Sequence, residues 1–179
     1  MTLSAAEIAL VVGDLRATLL PAVLRRMLPL PGEPGFVLDL RSGRTTRLLA
    51  VSLHPMLCRI HLVGARPQRD RTEATRGFVR TASATLAGLP LIDVERIGDD
   101  RAVALRLEGW SLAIELMGRH ANAFLLDRGG IIRSSYRAGA SRKRSLLWGG
   151  PYVPPIPRPG AAWAGAPSRF AAVGIHEAI

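Results

Sequence analysis

Apolar residues recur at helical spacing over the first twenty positions and at strand spacing through most of the remaining chain. Ile8, Val11, Val12, Leu15 and Leu19 share one side of a helical wheel, with Glu7, Asp14, Arg16 and Thr18 on the other. That pattern predicts an amphipathic helix that packs on something. Ser4-Ala5-Ala6-Glu7 has the spacing of a capping box, in which the serine oxygen accepts from a first-turn amide while the glutamate reaches back. Pro21 ends or kinks the helix, because it lacks an amide donor and its ring clashes with the preceding turn.

Ala22 to Leu28, Phe36 to Leu40, Thr46 to Leu53 and Cys58 to Val63 read as short strands of a meander. A proline-rich turn (Pro29, Pro31, Pro34) and the turn Arg41-Ser42-Gly43-Arg44 interrupt them. A polar, basic loop runs from Arg66 to Arg71, Glu73 to Leu86 reads as a second helix ending near Gly88, and more strands come after it. Val103, Leu105 and Leu107 alternate with Ala104 and Arg106; after a Glu108-Gly109 turn, Leu112, Ile114 and Leu116 alternate with Ala113 and Glu115. This predicts a hairpin with one buried face. A second hairpin runs from Ala123 to Asp127, through Arg128-Gly129-Gly130, to Ile131 and Tyr136, while Pro151 to Pro159 is too rich in proline for regular structure. The expected class is α+β, antiparallel β-sheets with two flanking helices. Beyond that, Pro167-Ser168 opens a weak helical pattern through Phe170 and Val173 that stops in mid-pattern at Ile179, as a following domain would begin.

The 179 residues suit one domain, or one domain and the beginning of a second. The single cysteine, Cys58, excludes an internal disulfide framework and any multi-thiolate zinc site, and it sits in an apolar run as a small core residue. Glu7 and Asp14 break the apolar start and no basic segment precedes it, which argues against a signal peptide. No uninterrupted apolar stretch is long enough for a membrane helix, so a cytoplasmic protein is expected. Net charge is +10, and from Arg128 to the end eight basic residues face one acid, Glu177. Such a field attracts polyanions by steering and by counterion release, which points to nucleic acid. A plainer account is that arginine is only the solubilising residue, since Lys143 is the sole lysine.

Of the four histidines, only His54 and His61 are close in sequence, at no helical ligand spacing and with no carboxylate to join them. No phosphate loop, nucleophile elbow or catalytic carboxylate pair occurs, so neither an enzyme nor a metal or cofactor is expected. Three segments stand out because polar residues break apolar strands. They are Ser52-Leu53-His54-Pro55 with Cys58-Arg59-Ile60-His61-Leu62, Gly98-Asp99-Asp100-Arg101, and Glu115-Leu116-Met117-Gly118-Arg119-His120-Ala121-Asn122. Taken alone they fit a structural role better, stabilising turns and satisfying backbone groups at a tight corner. An arginine held by a carboxylate also suits a phosphate or a base edge.

In order and spacing these segments resemble the N-terminal domain of the NFACT proteins, the RqcH/NEMF ribosome quality-control family, once described in bacteria as fibronectin-binding proteins. The resemblance continues through Leu126-Asp127 with Gly130-Ile131-Ile132 and through Gly150-Pro151-Tyr152-Val153-Pro154-Pro155. It assigns residues 1–157 to this domain and leaves 158–179 as a linker and possible start of a helical domain. It implies a fold similar to the N-terminal domain of formamidopyrimidine-DNA glycosylase, used to hold tRNA on a stalled large ribosomal subunit, where the family adds C-terminal tails, alanine in bacteria. The family's tRNA-linked residues fall on Asp100, Arg101, Glu115, Leu116 and Met117. Arg119 and His120 complete the candidate set, and Arg137, Arg142, Lys143 and Arg144 form a basic patch.

This chain departs from the family in a short hairpin between Arg101 and Glu115 and at two further places. Leu3-Ser4-Ala5 stands for the usual Phe-Asp-Gly, and Ala82-Ser83-Ala84 stands for a leucine-arginine-lysine, which removes two helix cations and their phosphate contacts. Two other readings stay open. A DNA glycosylase on the related fold would use an N-terminal proline followed by glutamate, whereas this chain begins Met1-Thr2-Leu3. A stand-alone binding protein or adhesin is the other.

Overall fold

The structure, a computed structural model, describes residues 4–65, 76–138, 144 and 146–155. The Arg66 to Arg71 loop, the start of the second helix at Glu73, Arg142, Lys143 and the pattern around Phe170 lie outside the described residues. In chain order the elements are α1 (Ala5–Leu19), β1 (Ala22–Pro29), β2 (Gly35–Ser42), β3 (Thr45–Ser52), β4 (Arg59–Val63), α2 (Arg76–Leu86), β5 (Pro90–Arg96), β6 (Ala102–Leu107), β7 (Trp110–Glu115), a 3-10 turn (Gly118–His120), β8 (Asn122–Asp127) and β9 (Ile132–Ser135). The class is α+β as expected, and among the described residues the strands form one nine-stranded antiparallel sheet of order β4-β3-β2-β1-β5-β6-β7-β8-β9.

Helix α1 starts in the capping box the sequence predicts. Ser4 Oγ accepts from the Glu7 amide at 3.2 Å, and Glu7 returns a carboxylate oxygen to the Ser4 amide at 2.6 Å. Its buried stripe, Ile8, Val12, Leu15 and Leu19, lies chiefly on β5 and also touches β4 and β6. Strands far apart in the sheet can meet one helix only if the sheet curls around it. Helix α2 makes the matching contact with β1 and β9. Between them the Phe36 ring lies 5.9 Å from Phe78 and 6.3 Å from Tyr136, joining β2, α2 and the end of β9.

The β2–β3 hairpin is longer than the sequence suggests. Arg41 and Ser42 pair with Thr46 and Thr45 as strand, and only Gly43-Arg44 turn the chain. Gly43 takes φ +58, where a side chain would be strained.

The β6–β7 hairpin corrects an expectation. It is buried on both faces, because a segment later in the chain covers the side that alternation assigned to solvent. Ala102, Ala104, Ala113, Phe124, Leu126 and Ile132 form a second apolar layer closed by Leu146 and Tyr152. The covering strap, residues 146–155, runs along the edge strand β9. Gly149 donates its amide to Ile132 O at 2.8 Å, Ile132 to Gly150 O at 2.9 Å, and Tyr152 to Gly130 O at 2.9 Å. The Tyr152 ring packs 5.4 Å from Phe124 while its hydroxyl donates to Glu115 Oε1 at 2.9 Å. Burial, and then the adjacent Glu115 charge, push this phenol well above its ordinary value. Among the described residues no helix is long and apolar enough to cross a membrane.

This packing has two measurable consequences. Phe36→Ala should cost about 3–5 kcal/mol of stability, read as a lower urea midpoint, because the aromatic neighbours cannot collapse into the space. The folded state also keeps a Tyr152 proton that the unfolded chain releases at high pH. Stability should therefore hold below about pH 10 and fall as pH rises past it, and Tyr152→Phe should flatten that alkaline fall in urea titrations.

Candidate nucleic-acid interface

The three polar segments that interrupt the strands meet at one end of the sheet. Strands β6 and β7 pair Ala102 with Glu115, so the Asp100-Arg101 turn and the Glu115–Met117 segment leave the sheet side by side. One more backbone bond extends the ladder, the Leu116 amide donating to Arg101 O at 2.8 Å. On the other side, the Gly118 amide donates to Cys58 Sγ at 3.3 Å. Gly118 has φ +59, and a Cβ there would stand 3.2 Å from Pro55 O, so glycine serves both the turn and the close approach.

Arg137, just past β9, staples the same end. Its guanidinium donates to Leu53 O at 2.9 Å and to Arg119 O at 3.5 Å. Its backbone exchanges two bonds with the Asn122 side chain, at 2.9 and 3.1 Å.

The candidate residues divide by exposure. Asp100 is mostly buried and accepts from the Arg101 amide at 2.7 Å, with the Arg101 Nε 3.6 Å from the same oxygen. Leu116 belongs to the main core and is 2% exposed. Met117 is half-buried, while Arg119 and His120 are exposed, with Arg119 Nε donating to His120 Nε2 at 3.1 Å. Sequence reasoning did not single out Met56 and Leu57, which are exposed at the tip of the β3–β4 loop beside this end. Their signal was available: two large apolar residues in a loop that the strand pattern left without a partner.

Glu115 is 1% exposed, and its carboxylate meets Arg144 in a two-point pair with both N–O distances 2.8 Å. Tyr152 supplies a third donor, and Arg144 also reaches Val153 O at 2.8 Å. Burial works against the Arg144 charge, but the Glu115 carboxylate more than compensates and holds its ionisation above the ordinary range. The structure thus joins two residues that the sequence placed in different sets, and Arg144 is occupied within the fold. The two histidines are not joined. His54 Nδ1 accepts from the Met56 amide, while His61 lies on β4 beside Arg59, its ionisation lowered by burial and by that arginine.

The altered helix triplet is also structural here. Ala82 is fully buried and Ser83 Oγ accepts from the Met27 amide at 2.9 Å, which ties α2 to β1.

Residues 5–163 match the family model for the NFACT N-terminal and middle domains. The Rqc2 homolog RqcH of Streptococcus pneumoniae serotype 2 (strain D39) is 28% identical over 158 residues, covering 81% of this chain and 28% of its own length. The Rqc2 homolog RqcH of Streptococcus suis (strain 05ZYH33) is 26% identical over 140 residues, covering 70% of this chain and 25% of its own. The chain thus spans little more than a quarter of the curated relatives it matches. Among solved structures, the N-terminal domain of the fibronectin-binding protein PavA from Streptococcus pneumoniae aligns with a TM-score of 0.75 at 26% identity, over 86% of this chain and 62% of that one. The fibrinogen binding protein from Staphylococcus aureus shares the fold, with a TM-score of 0.67 at 21% identity, over 82% of this chain and 54% of that one. The chain belongs to the NFACT family.

Proposed function

We propose that this is the RNA-binding domain of a ribosome quality-control factor, holding tRNA on a stalled large ribosomal subunit in support of C-terminal alanine tailing. The observation that carries the reading is the convergence of Asp100-Arg101, Met117–His120 and the Met56-Leu57 tip at one sheet end. RNA loops and ends are recognised by apolar and cationic side chains that meet splayed bases and the backbone together, and this end offers both. The Asp100 carboxylate restrains Arg101, which suits selective contact better than a free surface charge. Arg119 supplies the exposed, salt-sensitive part. Peptidyl transfer belongs to the ribosome in this scheme, so the domain contributes positioning without a catalytic group, and it works in the cytoplasm.

Fibronectin binding is the second reading, favoured by the name of PavA and testable with immobilised fibronectin in place of tRNA. For the first, the double variant Asp100→Ala/Arg101→Ala should bind labelled tRNA at least about tenfold more weakly in fluorescence anisotropy, measured below its melting transition so that both proteins are folded. Arg119→Ala should lower the slope of log affinity against log salt by about one. Equal binding by the wild type and the double variant, or no binding by either, would sink the tRNA assignment.

A further inference from the structure

We propose that Glu115 is a positioning residue which locks the strap to the sheet, and that Met117, Arg119 and His120 form the RNA-facing part of its block. This rests on the tRNA reading above and divides that site into a buried support and an exposed surface.

Access is the first argument. Glu115 is 1% exposed, and both its oxygens already accept from Arg144, one of them from Tyr152 as well. An RNA phosphate or base edge could reach this carboxylate only by displacing a two-point ion pair and a packed tyrosine. Charge is the second. A bare carboxylate repels the RNA backbone, whereas the Glu115–Arg144 pair is neutral in sum and sends little field to the surface. Connectivity is the third. Arg144 holds Glu115 with one side of its guanidinium and Val153 O with the same Nη1, so one residue closes both ends of the strap. The next residue, Leu116, is bonded through its amide to Arg101 O. A Glu115 side chain without its cation, a buried charge left uncompensated, would shift the strand end that carries both Arg101 and Met117.

The test measures amide hydrogen exchange in the strap and tRNA affinity across a salt series, on the purified chain. In Arg144→Met the Gly149 and Tyr152 amides should exchange at least about tenfold faster, and tRNA should bind more weakly. The triple variant Glu115→Met/Arg144→Met/Tyr152→Phe replaces the ionic cluster by apolar groups of similar size, so it should recover slow exchange and bind tRNA within about twofold of wild type at an unchanged salt slope. Met117→Ala/Arg119→Ala should lose about tenfold in affinity with strap exchange unchanged, and it decides the surface half if the triple variant does not fold.

The lock is overturned if Arg144→Met leaves strap exchange as in wild type. The division of roles is overturned if a slowly exchanging triple variant loses tenfold in affinity or about one unit of salt slope, or if Met117→Ala/Arg119→Ala binds as wild type does. A wild-type chain that binds no tRNA overturns the proposed function and the surface half together, and exchange alone then judges the lock.

Discussion

Strands β6, β7 and β8 carry buried side chains on both faces, so the sheet they build needs two covers. The first cover is the helix pair. Helix α1 lies chiefly on β5 and α2 chiefly on β1, strands distant from them in sequence, and the sheet curls around both. The second is the strap, which arrives late in the chain and puts Leu146 and Tyr152 into the apolar layer, while Leu147, Trp148 and Val153 stay exposed. Backbone bonds along β9 and the ionic cluster at Glu115 hold it there. Burying a carboxylate is costly unless its cation and its hydrogen bonds come with it, and here all of them come from the strap and from Arg144 just before it. Sheet and strap therefore depend on each other.

The candidate interface inherits its geometry from that arrangement. Its exposed residues sit on turns, yet each turn is bound to something rigid: Leu116 to Arg101, Gly118 to Cys58, Arg137 to Leu53. Strands widely separated in the sheet are brought together because the sheet has curled far enough for Arg137, past β9, to bond Leu53, past β3. Solvent meets a short run of apolar and cationic groups on a stiff base, which favours recognition by shape over attraction by bulk charge.

Local elements were legible from local patterns. Ser4 and Glu7 announced the start of α1, Glu108-Gly109 announced a turn, and the alternation from Val103 to Leu116 announced a hairpin. The second buried face was not legible, because Ala104, Ala113 and Glu115 alternate with larger residues as solvent-facing positions do. Small size at 104 and 113 was the available hint of close cover, and Glu115 pointed the other way. Its partners lie 29 and 37 residues further on, at a separation no periodicity reports. The site showed a similar division. The polar segments were visible as interruptions of apolar strands, and their order carried the resemblance, but nothing in the chain showed which of their side chains faced inward. Two of the residues so assigned, Leu116 and Glu115, are core.

The bonds between the strap and β9 also close an edge. An edge strand left bare presents unpaired amides and carbonyls that recruit strands from other molecules, and here Gly149 and Gly150 bond both backbone groups of Ile132 from within the chain, with Tyr152 bonding Gly130 just before β9. Anyone trimming this protein for crystallisation or for fusion to another module should therefore cut beyond Pro155. A boundary drawn before Gly149 would leave most strands intact in sequence, yet expose β9 and the apolar layer beneath Tyr152, and the failure would appear as self-association during expression.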